Sequence, residues 1–498
     1  MATEKTIIER SPFLEKEKHD DSSLKLANHA DHGEPINQLI TRKWRPLIRV
    51  LCCSLLPLTL LILSRNNLRH NHLYYLPEIF NERKVFRQPD FGSLEIPQKK
   101  IMPDRCPAVV TSRSDQFGFD FTEDDVAANR WQFLDFSPAE SRKSLRGEIT
   151  VDRGISSQLH DMEVIVITRS SDEDDLTNVQ FNKSDFMLNM NYTYESSDVC
   201  TEVHIQILLR PSNKRFLERF DIRTNILDIN YEPSLGWEIN NLFTHTSHGE
   251  IFLDSRYPFE APLITHNVSM SSIDGMVLGF FTPDEHLELH NEAGGIEVLL
   301  CPRLSDGILF DPKSISITTV SGRIRVGLLH DFWYSKPYTH QTKIESISGN
   351  ISAHVPHGLY TNISTMSGTL ETMIRTWGAA SPNTTNGIYT TSRGDSSVTL
   401  CSPSDASSDR DYNPLTNTIS THEVTEGKLW VGYPLTWWGS MEGKIEQGKL
   451  TFNGHNLESV TLREGYVEAT KGKADSQMKA HITTGALYIY LGLFESYC

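Results

Sequence analysis

A short unit recurs through the C-terminal half of this 498-residue chain and narrows what it can fold into. An alternating stretch leads to one or two small polar residues, a Gly, one variable residue and a second alternating stretch. It appears as Thr246-Ser247-His248-Gly249-Glu250-Ile251, Val320-Ser321-Gly322-Arg323-Ile324, Ile347-Ser348-Gly349-Asn350-Ile351 and Met366-Ser367-Gly368-Thr369-Leu370. It returns as Thr425-Glu426-Gly427-Lys428-Leu429, Gln447-Gly448-Lys449-Leu450, Glu464-Gly465-Tyr466-Val467 and Thr484-Gly485-Ala486-Leu487. A Gly at such a corner permits φ > 0 and lets a strand pass from one sheet to the next, so Gly322, Gly349 and Gly368 are expected to hold positive φ.

Between the corners apolar residues alternate. Val203, Ile205 and Ile207 share one parity, as do Phe220, Ile222 and, after a turn, Ile226, which means one face buried and one wet. The expected fold class is therefore all-β, a repetitive stacked-strand ectodomain that is β-solenoid or roll-like, with a sandwich as the alternative. Ser-Gly is also an ordinary turn dipeptide, and the irregular interval between units keeps both readings open.

Val50 to Ser64 contains no charged residue and is flanked by Arg49 and Arg65. As a helix these fifteen residues span about 22 Å, so Trp44, Leu47 and Ile48 would extend the segment and the flanking arginines would snorkel. Arg42, Lys43, Arg45 and Arg49 precede the run and only Arg65 and Arg69 follow closely, which puts the N-terminus in the cytosol. More than forty residues, most of them polar, precede the apolar core, unlike a cleaved signal peptide. The expected organisation is a disordered cytosolic tail at 1–45, a type II signal-anchor helix at 46–65, a stalk at 66–105 and a luminal or extracellular β-repeat domain at 106–498. Cys52 and Cys53 lie inside the anchor, where cysteines serve as small apolar residues or as acylation sites.

The formal net charge is −17, and the negative excess lies beyond the first 49 residues, where nine Lys/Arg meet eight Asp/Glu. Without a basic patch the chain lacks the electrostatic footprint of a nucleic-acid binder.

No Gly-x-Ser-x-Gly elbow, His-Glu-x-x-His helix or phosphate-cradling loop occurs. His286-Leu287-Glu288-Leu289-His290 would place His286, Glu288 and His290 on one strand face, but spread along an extended chain they converge poorly on one ion. Arg393-Gly394-Asp395 matches a short recognition tripeptide and also reads as a turn of the repeat. Clustered acids such as Asp172 to Asp175 and Asp284-Glu285 read as solvated loops. No catalytic residue, cofactor or metal is assigned.

Asn182, Asn191, Asn267, Asn350, Asn362 and Asn383 each begin an Asn-x-Ser/Thr acceptor, all on the far side of the proposed anchor. Cys106, Cys200, Cys301, Cys401 and Cys498 lie there too, enough for two disulfides with one cysteine left over.

Over residues 220 to 498 the chain resembles the adhesin-like β-repeat domains of uncharacterised fungal single-pass membrane proteins. The resemblance rests on the Thr-x-Ser-Gly-x-Ile units, Tyr433-Pro434-Leu435-Thr436-Trp437-Trp438-Gly439 with Gly448-Lys449-Leu450, Ala469-Thr470-Lys471-Gly472, and Thr483-Thr484-Gly485-Ala486-Leu487. It extends to the order of tail, anchor and ectodomain, and it implies a fold rather than an activity. The functional expectation is a membrane-anchored, non-catalytic structural or interaction module. Its partners would be the bilayer through residues 46–65 and a surface protein or glycan, with a membrane-anchored carbohydrate-active enzyme as the alternative.

Overall fold

The computed structural model describes residues 106, 111–122, 129–193, 199–211, 215–232, 236–253, 264–301, 304–305, 308–309, 311–328, 338–376, 385–402, 415–473 and 475–493. The chain divides into two units, Met1–Phe86 and Arg87–Cys498. The tail, anchor and stalk expected over 1–105 lie outside the described residues, as does the Asn383 acceptor.

The second unit is a stack of two-strand rungs, each a front strand, a corner and a back strand. The rungs follow one another as Arg130–Asp135 with Leu145–Arg153, Phe216–Thr224 with Asp228–Tyr231, Glu238–Thr246 with Ile251–Leu253, and Ile264–Ser272 with Val277–Phe281. Next come His286–Asn291 with Ile296–Leu300, Ser314–Thr319 with Ile324–Leu328, Gln341–Ser346 with Ile351–Pro356, Tyr360–Thr365 with Leu370–Arg375, and Asn386–Ser392 with Ser396–Cys401. Front strands pair parallel with front strands and back with back, which makes two parallel sheets. This is the solenoid arrangement rather than a sandwich of antiparallel hairpins.

The stack ends on long strands that run through the corner and belong to both sheets. Gln477–Leu493 pairs parallel with Thr418–Pro434 on one side and with Gly439–Gly454 on the other. The chain thus leaves a slot beside Thr418–Pro434, builds the next rung, makes the antiparallel hairpin Ser459–Arg463 with Tyr466–Lys471, and fills the slot last. At the opposite end Val179–Ser184 and Met187–Tyr192 extend the front sheet, while Thr201–Leu209, Met162–Ser170 and Thr111–Phe119 extend the back one, mostly antiparallel. A disulfide joins Cys106 to Cys200 at this end. Closing a separation of 94 residues restricts the unfolded chain and contributes about 2–5 kcal/mol.

Alternation explains the core. Val203, Ile205, Ile207, Phe220 and Ile222 all point between the sheets and are buried in one apolar cluster that runs from Phe119 to Leu491. Each such side chain contributes about 1.5–3 kcal/mol on burial, so a one-residue slip in any rung would expose its whole inner row.

The corners differ from the expectation in their reason for glycine. Gly322, Gly349 and Gly368 do not hold positive φ. Their constraint is stacking: a Cβ would lie 1.7 Å from the carbonyl oxygen of Gly294, 1.8 Å from that of Gly322 and 2.1 Å from that of Gly349, respectively. Corner glycines therefore sit directly over one another, and only a bare Cα fits the rung spacing. Gly465 is no corner; it turns the Ser459–Arg463 hairpin with φ 68°.

At the corners of Gly249, Gly275, Gly294, Gly322, Gly349 and Gly368 a buried polar residue three positions earlier accepts a hydrogen bond from the glycine N–H. Thr365 Oγ1 accepts a hydrogen bond from Gly368 N at 3.0 Å and donates to the Gly349 carbonyl at 2.9 Å. Asn291 does the same with two atoms, its Oδ1 accepting from Gly294 N and its Nδ2 donating to Gly275 O. Pairing register continues this column through Thr224, Thr246, Ser272, Asn291, Thr319, Ser346, Thr365 and Ser392, all buried. The same column then becomes Val424, Ile482 and Ile445 in the through-running strands.

Candidate functional site

Two surfaces, one buried cluster and one buried histidine carry the chemistry of the described residues. The outer face of the front sheet is built from the wet parity of each strand, aligned by parallel register into rows. One row reads His245, Ser271, His290, Thr318, Glu345, Ser364, Thr391, Glu423 and His481. Neighbouring rungs satisfy one another along such rows: His245 Nδ1 lies 2.9 Å from Ser271 Oγ, and His290 Nδ1 lies 2.9 Å from Thr318 Oγ1. His286, Glu288 and His290 share this outer face, and His286 Nδ1 meets Ser314 Oγ at 2.7 Å. Among the described residues no group of three His, Cys, Asp or Glu is arranged to hold a metal.

The same face carries an aromatic pair. Tyr360 and Tyr389 lie on adjacent front strands with ring centroids 5.3 Å apart, and Ile419, 38% exposed, lies on the next strand of that face.

The corner edge is different in character. Val320, Ile347 and Met366 occupy equivalent places on consecutive rungs, tied by the bonds from Ser348 N to Val320 O and from Ser367 N to Ile347 O. They are 41%, 51% and 70% exposed. Arg393-Gly394-Asp395 forms a later corner of this edge, where the Asp395 carboxylate accepts from Lys428 N at 2.8 Å and so is turned into the ladder of the next rung.

The opposite edge of the middle rungs buries a polar cluster. Asp311 accepts from Thr339 N and Oγ1 and faces His340 Nδ1 at 3.2 Å. Burial alone would raise the Asp311 pKa, but the hydrogen bonds from His340 and Thr339 hold it below the usual carboxylate value. His340 Nε2 lies 3.3 Å from the Pro356 carbonyl, and His357 Nδ1 lies 2.9 Å from Thr361 Oγ1. Burial, reinforced by the nearby His340, pushes His357 down to about 3, which keeps it neutral. Arg375 donates to His354 Nε2 at 3.2 Å. The cluster joins successive rungs by side chains where the chain turns back to the front sheet.

A second neutral histidine, His422, is enclosed by Thr390 and Tyr433 in the core and pushed down to about 3 by burial.

The glycosylation acceptors fall into a pattern that spacing alone does not reveal. Asn182 and Asn191 are exposed on the end hairpin of the front sheet, Asn267 and Asn362 lie on that sheet's outer face, and Asn350 is exposed at a corner. Cys401 is disulfide-bonded, and Cys301 carries a buried thiol pushed up to about 11 by burial. Among the described residues no helix is long and apolar enough to cross a membrane.

No family model and no curated protein matches the chain. Two solved structures align with it. One is described as "a putative cell adhesion protein" from Clostridium sporogenes, 9% identical, covering 76% of this chain and 100% of its own, with a TM-score of 0.15. The other is described as "a putative adhesin" from Parabacteroides merdae, 12% identical, covering 65% of this chain and 96% of its own, with a TM-score of 0.26. Similarity at that level carries no argument about what this chain does.

Sequence reasoning found the Ser-Gly corners. It missed the polar column three residues before the Gly of the middle corners, although Thr, Ser or Asn stands there in rung after rung. It also missed Tyr360 with Tyr389, which only the register brings together.

Proposed function

We propose that this chain is a single-pass membrane protein, anchored through residues 46–65 with its N-terminus in the cytosol, whose β-solenoid ectodomain is a non-catalytic, adhesin-like interaction module. The observation that carries the interaction reading is the apolar corner row of Val320, Ile347 and Met366. Rungs stack at about 4.8 Å, so the three side chains form one continuous strip facing water. A contiguous exposed strip of this kind marks a contact surface more often than isolated apolar residues do. The partner that fits is a surface protein with a complementary apolar strip. Covering the three half-exposed side chains would contribute about 1–2 kcal/mol each before the costs of association.

Beads coated with the ectodomain, applied to cells of the source organism, test this reading. Replacing Val320, Ile347 and Met366 together by Ser should lower retention at least about tenfold, equivalent to about 1.4 kcal/mol, with the unfolding midpoint little changed. Equal retention by the two proteins contradicts it. Protease added to sealed microsomes should remove the tail and spare the chain beyond Arg65; protection of the tail overturns the orientation. Turnover of a polysaccharide by the ectodomain, abolished by one Asp→Ala or Glu→Ala change, would replace the module reading with the carbohydrate-active enzyme.

A further inference from the structure

Tyr360 and Tyr389 stand side by side on the front sheet's outer face, their ring planes inclined at 37° and Tyr360 39% exposed. Gly387 occupies the position opposite Tyr360. A Cβ at Gly387 would lie 2.7 Å from Tyr389 Cε2 and 3.3 Å from Tyr360 Cδ2, so it is the bare glycine that lets the Tyr389 ring lean over the strand beside its neighbour. The result is a small two-ring platform, with Ile419 on the next strand, on a face lined mainly by Ser, Thr, Asn, His and charged side chains.

Asn362 adjoins this platform on two sides. It is two residues from Tyr360 on the same strand, hence on the same face and about 7 Å along it, and it is directly opposite Tyr389 in the register. Tyr360-Thr361-Asn362-Ile363-Ser364 also contains the acceptor sequence, with Tyr360, Asn362 and Ser364 all on the outer parity. Asn362 Nδ2 donates one hydrogen bond, to Glu345 Oε1 at 3.2 Å, and a glycosylated amide keeps the one N–H that this bond needs. Asn267 contrasts with it: its Nδ2 is directed both at the Asn240 carbonyl and at Asn241 Oδ1, so a sugar there would displace a hydrogen bond.

We propose that Asn362 carries an N-linked glycan whose first N-acetylglucosamine rests on the Tyr360–Tyr389 pair. In the transfer, Asn362 Nδ2 bonds to the anomeric carbon of a polyprenyl-diphosphate-linked oligosaccharide and that carbon's bond to the diphosphate oxygen breaks. The polyprenyl diphosphate leaves with the bonding pair, and the amide loses one proton to the transferring enzyme. The sugar's apolar ring face then covers the exposed rings while its hydroxyls stay in water. The inference rests on the luminal or extracellular placement proposed above.

The test uses the full chain made in a secretory eukaryotic host, with glycans trimmed to a single N-acetylglucosamine. Site occupancy is read by peptide mass spectrometry and unfolding by tryptophan fluorescence. Asn362 should be occupied in most molecules, and the trimmed protein should melt about 2 °C above Asn362→Gln. That gap should vanish when Tyr360 and Tyr389 are both Ser. Occupied Asn182, Asn191 or Asn350 with a bare Asn362 overturns this inference and leaves the placement standing. No occupied site at all overturns both. An unchanged gap in the tyrosine variant removes the platform's role.

Discussion

The middle rungs and the closing rungs turn the same corner in two ways. In the middle, Gly322, Gly349 and Gly368 avoid the left-handed region, and a buried Ser, Thr or Asn three residues earlier ties each turn to itself and, where the bond forms, to the rung below. In the closing strands Gly427, Gly448 and Gly485 have φ of 115°, 137° and 135°, and the equivalent buried positions are Val424, Ile445 and Ile482. The middle corners break the strand and cap the turn with a hydroxyl or amide. The closing corners keep the strand and bend it at a glycine, which leaves no turn for a polar side chain to close. A buried hydroxyl is favourable only where donors and acceptors await it, so the column changes chemistry at the rung where the backbone does.

Substitutions should separate the two designs. Gly485→Ala meets both obstacles, since its Cβ would lie 1.8 Å from the Gly427 carbonyl oxygen in a backbone conformation that L side chains avoid. It should cost about 4 kcal/mol in chemical denaturation. Gly349→Ala meets the Gly322 carbonyl and Ser346 Oγ without the backbone strain and should cost about 2–3 kcal/mol; a larger loss than at Gly485 would reverse the comparison. Thr365→Val keeps the volume but strands the Gly368 N–H and the Gly349 carbonyl, and should cost about 2 kcal/mol. Its counterpart Ile482→Val has only a methyl to lose and should cost about 1 kcal/mol.

Acid provides a finer contrast. His357 in the middle rungs and His422 in the first closing rung are both held neutral, with folded values near 3 against about 6.5 unfolded. The folded state therefore binds fewer protons, and the stability each contributes is complete above about pH 6.5 and declines as pH falls toward 3. The slope is about 1.4 kcal/mol per pH unit for each histidine. His422→Gln should flatten the loss between pH 6 and pH 5 by about 1 kcal/mol, and His357→Gln by a similar amount. A change at one histidine alone would show that the two regions respond differently to protonation.

Much of the fold was legible because it is written locally. Alternation put Val203, Ile205, Ile207, Phe220 and Ile222 inside, and Ser-Gly marked the corners from Gly322 to Gly368. The corners at Gly275 and Gly294 escaped because Ser272-Ile273-Asp274-Gly275 and Asn291-Glu292-Ala293-Gly294 lack the Ser-Gly pair, although each has the polar residue three positions earlier. Positive φ was expected at Gly322, Gly349 and Gly368 because an isolated chain offers no reason for glycine other than its own backbone; the carbonyl that excludes a Cβ belongs to another rung. The candidate site was less legible for the same reason. Asn362 announces itself by its acceptor sequence, but Tyr389 reaches Tyr360 only through register, and Val320, Ile347 and Met366 become a strip only once the rungs stack. Nothing local in Gln477–Leu493 says that it returns to lie between two earlier strands.

That return is the most direct test of the account, because it requires one register to run through both ends of the slot. Thr421 is opposite Lys479, and Lys479 is opposite Glu442. Cysteine pairs at 421 with 479, and at 479 with 442, would have Cα atoms about 5 Å apart on the outer face, within disulfide reach, whereas 421 and 442 lie about 10 Å apart across the inserted strand. Mild oxidation of the three double variants Thr421→Cys/Lys479→Cys, Lys479→Cys/Glu442→Cys and Thr421→Cys/Glu442→Cys should cross-link the first two and spare the third. Cross-linking of the third in place of the first two would mean that the strands stack in chain order, which would contradict the inserted closing strand and the register built on it.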